Sequence, residues 1–211
     1  MIGSKMQLWG MKQLGIFKWG ICLFLISFLA ACGGTTKNSD TVEIEIKTVE
    51  GTIIAELYPK QAPESVKAFL AIVDQGLYHR SYFYRILSDE NQPSNAPKAE
   101  LIQGGIWSRT KKRPELPRIP HETTQQTGLT HSAGTLSFAR EEPGSATSEF
   151  FITLSDLPGF DFGGENNADG QGYAAFGKVI SGMDIVRKIY RKPETDQYFD
   201  PPVMIVDIQR R

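Results

Sequence analysis

The sequence predicts a mainly β protein, a sheet closed on itself with two α-helices covering its ends. Three observations carry this reading. Val42 to Lys47 alternates apolar and polar residues and Thr52 to Leu57 is again rich in β-formers, with Val49-Glu50-Gly51 between them as a turn, so the folded part opens on a hairpin. Later segments, Gly134 to Ala139, Phe150 to Leu154 and Tyr173 to Val179, are short apolar runs punctuated by glycine, and they read as strands. The two segments with helical signals lie far apart in the chain.

The first helix begins at Pro63, a residue suited to a first helical position, and Val66, Phe69, Leu70 and Val73 follow at i, i+3, i+4 and i+7. Gly76 closes the run as a C-terminal cap. The second helix is expected near Ser181, where Ser181-Gly182-Met183-Asp184 resembles a capping box and Ile185, Val186 and Ile189 face inward. Val203 to Ile208 supplies a last strand.

The N-terminal residues belong to a different class. Residues 1–31 contain Lys5, Lys12 and Lys18, no acidic residue, and an apolar run from Ile21 to Ala31 that stops at Cys32. This is the layout of a secretory signal, too short for the roughly 20 apolar residues of a comfortable membrane span. Leu29-Ala30-Ala31-Cys32 resembles a bacterial lipobox, in which Cys32 becomes the lipidated first residue. The expected organisation is therefore a lipoprotein signal over 1–31, a lipidated cysteine and linker over 32–41, and one domain over 42–211, held in the cell envelope by lipid and facing the periplasm or exterior. Each buried acyl methylene contributes about 0.8 kcal/mol to such an anchor.

Cys22 lies within the leader, so the body after Cys32 contains no cysteine, which excludes disulfides and thiolate metal sites there. His79, His121 and His131 lack zinc spacing. The chain has 23 basic and 24 acidic residues; without the three leader lysines, 20 basic residues face 24 acidic ones, a net charge near −4. That balance argues against nucleic acid as a partner.

Three motifs point to chemistry: Phe83-Tyr84-Arg85-Ile86, Ile102-Gln103-Gly104-Gly105, and Gly134 to Ile152, which contains GTLSFA and SATSEFFI. With YAAFGKV at 173–179 they stand in the order found in the cyclophilins, the peptidyl-prolyl cis/trans isomerases, and the resemblance spans nearly all of residues 42–211. It implies an eight-stranded antiparallel barrel capped by two helices. It also implies an isomerase, here a monomer, that accelerates X-Pro rotation in proline-containing unfolded or flexible polypeptides as exported and envelope proteins fold.

The reaction explains the residue types. Amide resonance sets a barrier of about 18–20 kcal/mol, and no bond is broken, so no nucleophile, metal or cofactor is needed. A catalyst must hold the proline ring and stabilise a twisted amide whose nitrogen has become basic. A planar guanidinium can donate to that nitrogen. By resemblance, Arg85 is that catalytic donor and Gln103 binds substrate backbone and orients the arginine. Phe83, Leu101, Phe151, Phe160 and Phe176 form the proline socket, while Ala139 and Arg140 form the groove edge. Tyr173 offers a hydroxyl on the substrate side, and His131 is read as structural.

Several positions depart from the family pattern. Glu149 replaces a glutamine expected to meet substrate, exchanging a two-donor amide for an acceptor-only carboxylate that would either tie up an arginine or preorganise it. Glu100 stands where a pocket phenylalanine is expected. Arg85 and Gln103 lie 18 positions apart, a longer spacing than the family's. The inserted segment, roughly Ser88 to Ala99, is polar with Pro93 and Pro97, a solvated loop or one that overhangs the groove. Gly159 stands where cyclosporin-sensitive members carry tryptophan, so weak cyclosporin binding is expected. The basic run Arg109 to Arg113 reads as a solvated loop, and Asp161 to Gly170 lacks calcium-loop spacing. Glu149, Glu100 and the insertion motivate an alternative, a binding module without catalysis; Arg85 argues against it, since binding alone has no need of that guanidinium.

Overall fold

A computed structural model describes residues 40–107 and 114–211. The leader, Cys32, most of the linker and the 109–113 basic run lie outside the described residues. The elements run β1 Val42–Thr48, β2 Gly51–Leu57, α1 Pro63–Asp74, β3 Ser81–Leu87, β4 Leu101–Gly105, α2 Thr124–Thr127, β5 Thr135–Phe138 and β6 Phe150–Thr153. A 3₁₀ turn at Pro158–Phe160 precedes β7 Ala174–Ser181, α3 Met183–Tyr190, β8 Glu194–Thr195 and β9 Tyr198–Arg210.

The strands pair in the order β1-β2-β7-β5-β6-β4-β3-β9, and β1 also pairs with β9, which closes eight antiparallel strands into the expected barrel. The short β8 hangs from β9 as a hairpin. Closure leaves no free edge among the eight.

Inside the barrel lies an aromatic core. Phe69 of α1 meets Tyr78, Phe150 and Phe176 at ring-centroid distances of 5.2, 5.5 and 5.1 Å, and Phe138 stacks on Phe176 at 4.6 Å. The predicted helical stripe, Val66, Phe69, Leu70 and Val73, is buried against this cluster, and Val186 and Ile189 of α3 join it. Helix α1 packs on β7 and β9, α3 on β2 and β4.

The helix ends partly differ from expectation. Pro63 does start α1, but the first free backbone donors, at Glu64 and Ser65, are taken by the distant carboxylate of Glu122 at 3.1 and 2.8 Å. Ser181 belongs to β7, and α3 is capped by Gly182 in the left-handed region with no side-chain hydrogen bond. Among the described residues a capping box lies instead on the four-residue α2, between Thr123 and Gln126. Among the described residues, no helix is long and apolar enough to cross a membrane.

One irregularity positions everything that follows. The pairing of β3 with both neighbours shifts register between Phe83 and Arg85: against β4 Tyr84 is an extra residue, and against β9 the extra residues, 199–202, lie on β9. Phe83 and Ile86 therefore both enter the barrel core, with Tyr84 and Arg85 placed between them on the groove side of the strand.

Replacing Phe69 by alanine should lower the unfolding free energy by about 3–5 kcal/mol, because the cavity would open among several rings that cannot all move inward. Urea unfolding of the two proteins measures this; a loss below about 1 kcal/mol would mean the cluster does not hold the barrel together.

Candidate active site

Strand register brings the separate motifs into one row. Arg85 pairs with Gln103, Gln103 with Phe151, and Phe151 with Ser137, across β3, β4, β6 and β5. On the other side Arg85 pairs with Tyr198 of β9. Over this row lies an open groove of about 530 Å³.

At its polar end, Nη1 of Arg85 donates to Oε1 of Gln103 at 3.2 Å, and Nη2 donates to Oε1 of Gln197 at 2.8 Å. Nε2 of Gln103 donates to the Tyr84 hydroxyl at 2.8 Å, which donates in turn to Oε2 of Glu149 at 2.8 Å. Oε1 of Glu149 accepts from the Trp107 backbone N–H and the Ser148 hydroxyl, both at 2.9 Å. Glu149 thus acts on Arg85 through Gln103 and Tyr84 rather than by direct pairing. Burial, and secondarily the Glu149 charge, push the Tyr84 phenol far up, so it remains a donor at neutral pH.

The two glycines of IQGG make this possible. A Cβ on Gly104 would lie 2.8 Å from the Phe83 ring and from the Tyr82 carbonyl. One on Gly105, which has φ +151°, would lie 2.3 Å from the Glu149 carboxylate.

Beside the arginine sits an apolar socket. Leu101, Phe151 and Phe160 pack with Ala99 and Leu157 in a cluster separate from the barrel core, with Ala139 and Tyr173 at its margin. Phe151 meets Phe160 edge-on at 5.6 Å, and Phe160 meets Tyr173 at 4.7 Å. His131 lies beneath, stacked on Phe151 at 6.0 Å. Its Nδ1 is 2.7 Å from Asp161 and its Nε2 3.0 Å from the Ser137 hydroxyl. Because a carboxylate only accepts, Nδ1 carries the proton. This agrees with a structural role, a strut between the floor of the socket and the chain that follows Phe160.

Two expected socket residues lie elsewhere. Phe83 and Phe176 are fully buried in the barrel core, Phe83 edge-on to Phe150 and Phe176 stacked on Phe138. The bulge at Tyr84 turns Phe83 inward. Glu100 also points away from the groove, accepting a hydrogen bond from the Tyr190 hydroxyl of α3 at 3.1 Å.

Arg140 lines the groove, but its guanidinium is already engaged. It binds Asp169 through two nitrogens at 2.7 and 2.9 Å, donates to the Gly172 carbonyl through Nε at 2.9 Å, and lies 5.5 Å from the Tyr173 ring centre. Its side chain is only 1% exposed. The hydrogen bond from Arg140, followed by one from the Gln171 backbone, lowers the Asp169 carboxyl to about 2. Burial pushes the Tyr173 phenol up.

The inserted segment is an ordered loop. Asn91 accepts from the Ser88 backbone at 2.8 Å, Gln92 donates to the carbonyls of Ser88 and Ala99, and Lys98 reaches three carbonyls, of Asp89, Gln92 and Pro93. Its Pro97 carbonyl accepts from Asn166 at 3.3 Å, linking it to the segment between Phe160 and Tyr173. A Cβ on Gly159 would lie 2.0 Å from the Asn166 side chain, so this segment fills the space that a tryptophan there would need.

Tyr84, Trp107 and Gln197 are groove or second-layer residues that sequence reasoning gave no role. The aromatic pair at 83–84 was the available signal for Tyr84; Gln197 lies 112 positions from the arginine it contacts, and no local pattern marks it.

The family model described as cyclophilin type peptidyl-prolyl cis-trans isomerase/CLD matches residues 41–210. A peptidyl-prolyl cis-trans isomerase of Acinetobacter baylyi is 35% identical over 172 residues, covering 79% of this chain and 84% of that protein. Isomerase B of Escherichia coli is 33% identical over 147 residues, 69% of this chain and 82% of that protein. The solved structure of a cyclophilin-type isomerase from Cryptosporidium parvum, in the presence of the dipeptide Ala-Pro, matches with a TM-score of 0.63 at 25% identity, covering 80% of this chain and 98% of that one. The chain belongs to the cyclophilin-type peptidyl-prolyl cis-trans isomerases.

The Asp169 clamp has a pH signature. Its folded pKa lies below the ordinary value near 3.9, so its stabilisation is complete above about pH 4 and is lost as pH falls toward 2. Asp169→Asn should therefore unfold at lower urea than the native protein at pH 6, with the gap narrowing between pH 4 and 2. A gap independent of pH would show that the carboxylate charge does not hold the loop.

Proposed function

We propose that Arg85 donates a hydrogen bond to the imide nitrogen of an X-Pro bond while the socket of Leu101, Phe151 and Phe160 holds the proline ring. The observation that supports this most is the placement of the guanidinium on the groove row, next to the socket. Of its five N–H donors, two are used by amide oxygens, leaving others for a substrate. Gln103 orients the arginine and, with the backbone around Ala139 and Arg140, meets the peptide. Glu149 serves the site by polarising Gln103 through Tyr84, and not as a substrate contact. The groove is open, which suits flexible proline-containing segments. The Ala-Pro dipeptide present with the Cryptosporidium parvum relative supports the same substrate class.

Donation to a nitrogen that becomes basic only when the amide twists stabilises the transition state more than the ground state, and is therefore catalytic. Arg85→Ala should reduce isomerisation of an X-Pro peptide about 10²- to 10³-fold, matching the 2.7–4 kcal/mol typical of a lost preorganised donor. Peptide affinity should persist. Exchange NMR reads both quantities; undiminished isomerisation would remove Arg85 from the mechanism.

We further propose that the substrates are exported or envelope polypeptides during folding, and that the domain is tethered as a monomer through lipid on Cys32. The support is the basic, then apolar, leader ending at Leu29-Ala30-Ala31-Cys32, followed by a polar linker. In a bacterial host, Cys32→Ser should abolish incorporation of labelled palmitate and move the protein out of the membrane fraction. Membrane retention of an unlabelled variant would point to the uncleaved apolar leader as the anchor instead.

A further inference from the structure

Arg85 is held from two sides, and the second holder is tied to the inserted segment. Gln197 lies in the two-residue turn, Asp196–Gln197, that joins β8 to β9, and both residues have positive φ, 51° and 72°. Such a turn suits a tight hairpin, but a glutamine is uncommon there and persists where its surroundings determine it. The backbone of Gln197 is fixed twice: its N–H donates to Glu194 at 2.8 Å and its carbonyl accepts from the Ile86 N–H at 2.9 Å.

The side chain is equally determined. Nε2 of Gln197 donates to the backbone carbonyl of Asn91 at 3.0 Å. A carbonyl can only accept, so the amide cannot be turned over, and Oε1 must face Arg85. Asn91 belongs to the 88–99 segment, whose shape is set by its own hydrogen bonds. Gln103 holds Nη1 and Gln197 holds Nη2. One such contact would let the guanidinium pivot; two on different nitrogens fix its plane.

We propose that Gln197 is a positioning residue for Arg85, and that the 88–99 insertion bears on catalysis through it by way of the Asn91 carbonyl. This rests on Arg85 being the catalytic donor. The insertion then acts by preorganising the donor, an effect realised in the rate of the bound substrate rather than in its affinity.

The test compares the full native chain with Gln197→Ala, Gln197→Asn, a version with residues 89–98 replaced by a short Gly-Ser linker, Arg85→Ala, and Gln197→Ala combined with Arg85→Ala. Exchange NMR on one X-Pro peptide separates the on-enzyme isomerisation rate from the dissociation constant. Nitrogen NMR of the Arg85 guanidinium reads its rotation directly. Gln197→Ala and the shortened insertion should each lower the on-enzyme rate on the order of tenfold, the scale of one hydrogen bond to a charged group, with affinity within about twofold. Arg85 rotation should speed up in both, and Gln197→Ala should add nothing once Arg85 is removed. Gln197→Asn keeps an amide and suits the left-handed turn but is one methylene short, so it should behave as Gln197→Ala does. A native rate in Gln197→Ala or Gln197→Asn beside an inactive Arg85→Ala overturns the positioning role. So does a loss of affinity without a loss of rate, which would make Gln197 a substrate contact. Full activity in Arg85→Ala would fail the catalytic assignment itself, a separate result.

Discussion

The bulge at Tyr84 is the constraint on which the groove depends. In an unbroken strand Phe83 and Arg85 would share one face. Either Arg85 would enter a core of phenylalanine rings, where an unpaired charge is very costly, or Phe83 would leave it. The extra residue resolves this conflict: Phe83 and Ile86 fill the barrel, and two consecutive side chains, a phenol and a guanidinium, emerge together. From that point the ladder does the placing. Gln103 is opposite Arg85 and Phe151 opposite Gln103, so guanidinium, amide and socket wall are spaced by strand separation rather than by loop conformation.

Hydrogen-bond direction supplies the second layer of order. Glutamine amides can be turned over at little cost unless a neighbour forbids it. Here both neighbours do. The Glu149 carboxylate accepts only, which commits the Tyr84 hydroxyl to donate and therefore to accept from Nε2 of Gln103, leaving Oε1 for Arg85. On the opposite flank the Asn91 carbonyl has the same effect on Gln197. A glutamine at 149 could either donate to the phenol or accept from it, and that direction would no longer be set. The departure from the family pattern at Glu149 is therefore consistent with a working donor.

Much of this was legible in the sequence, and the reasons for the exceptions are specific. The β1–β2 hairpin and the stripe of α1 follow from periodicity, and the motif order pointed to the barrel. Leu101, Phe151, Phe160, Arg85 and Gln103 do converge. Phe176 was misplaced because its stretch of β7, Ala174 to Gly177, is buried throughout and gives no alternation to read, and Phe83 because the register shift beside it reverses the face that simple alternation assigns. The bulge is invisible in Phe83-Tyr84-Arg85-Ile86 without the partner strands. Arg140 was legible as a groove residue, but the use of its donors by Asp169 and Gly172 depends on a loop that no short motif encodes. Gln197 reaches Arg85 only through closure of the barrel by β9.

A rotation catalyst has one geometric demand that most enzymes share only loosely: the group holding the ring and the group meeting its nitrogen must stay fixed relative to each other while the rest of the peptide swings. In this chain the barrel supplies the spacing, and polar ties outside the barrel supply the rigidity. His131 props Phe151 and is bonded to Asp161 just beyond Phe160, and Arg140 holds the segment ending at Gly172. Asn166 joins that segment to the insertion at Pro97, and the insertion reaches back through Gln197 to Arg85. The circuit runs from socket to guanidinium without passing through the groove itself. The proposed substrate path is therefore left open, while the two halves of the site are braced from behind.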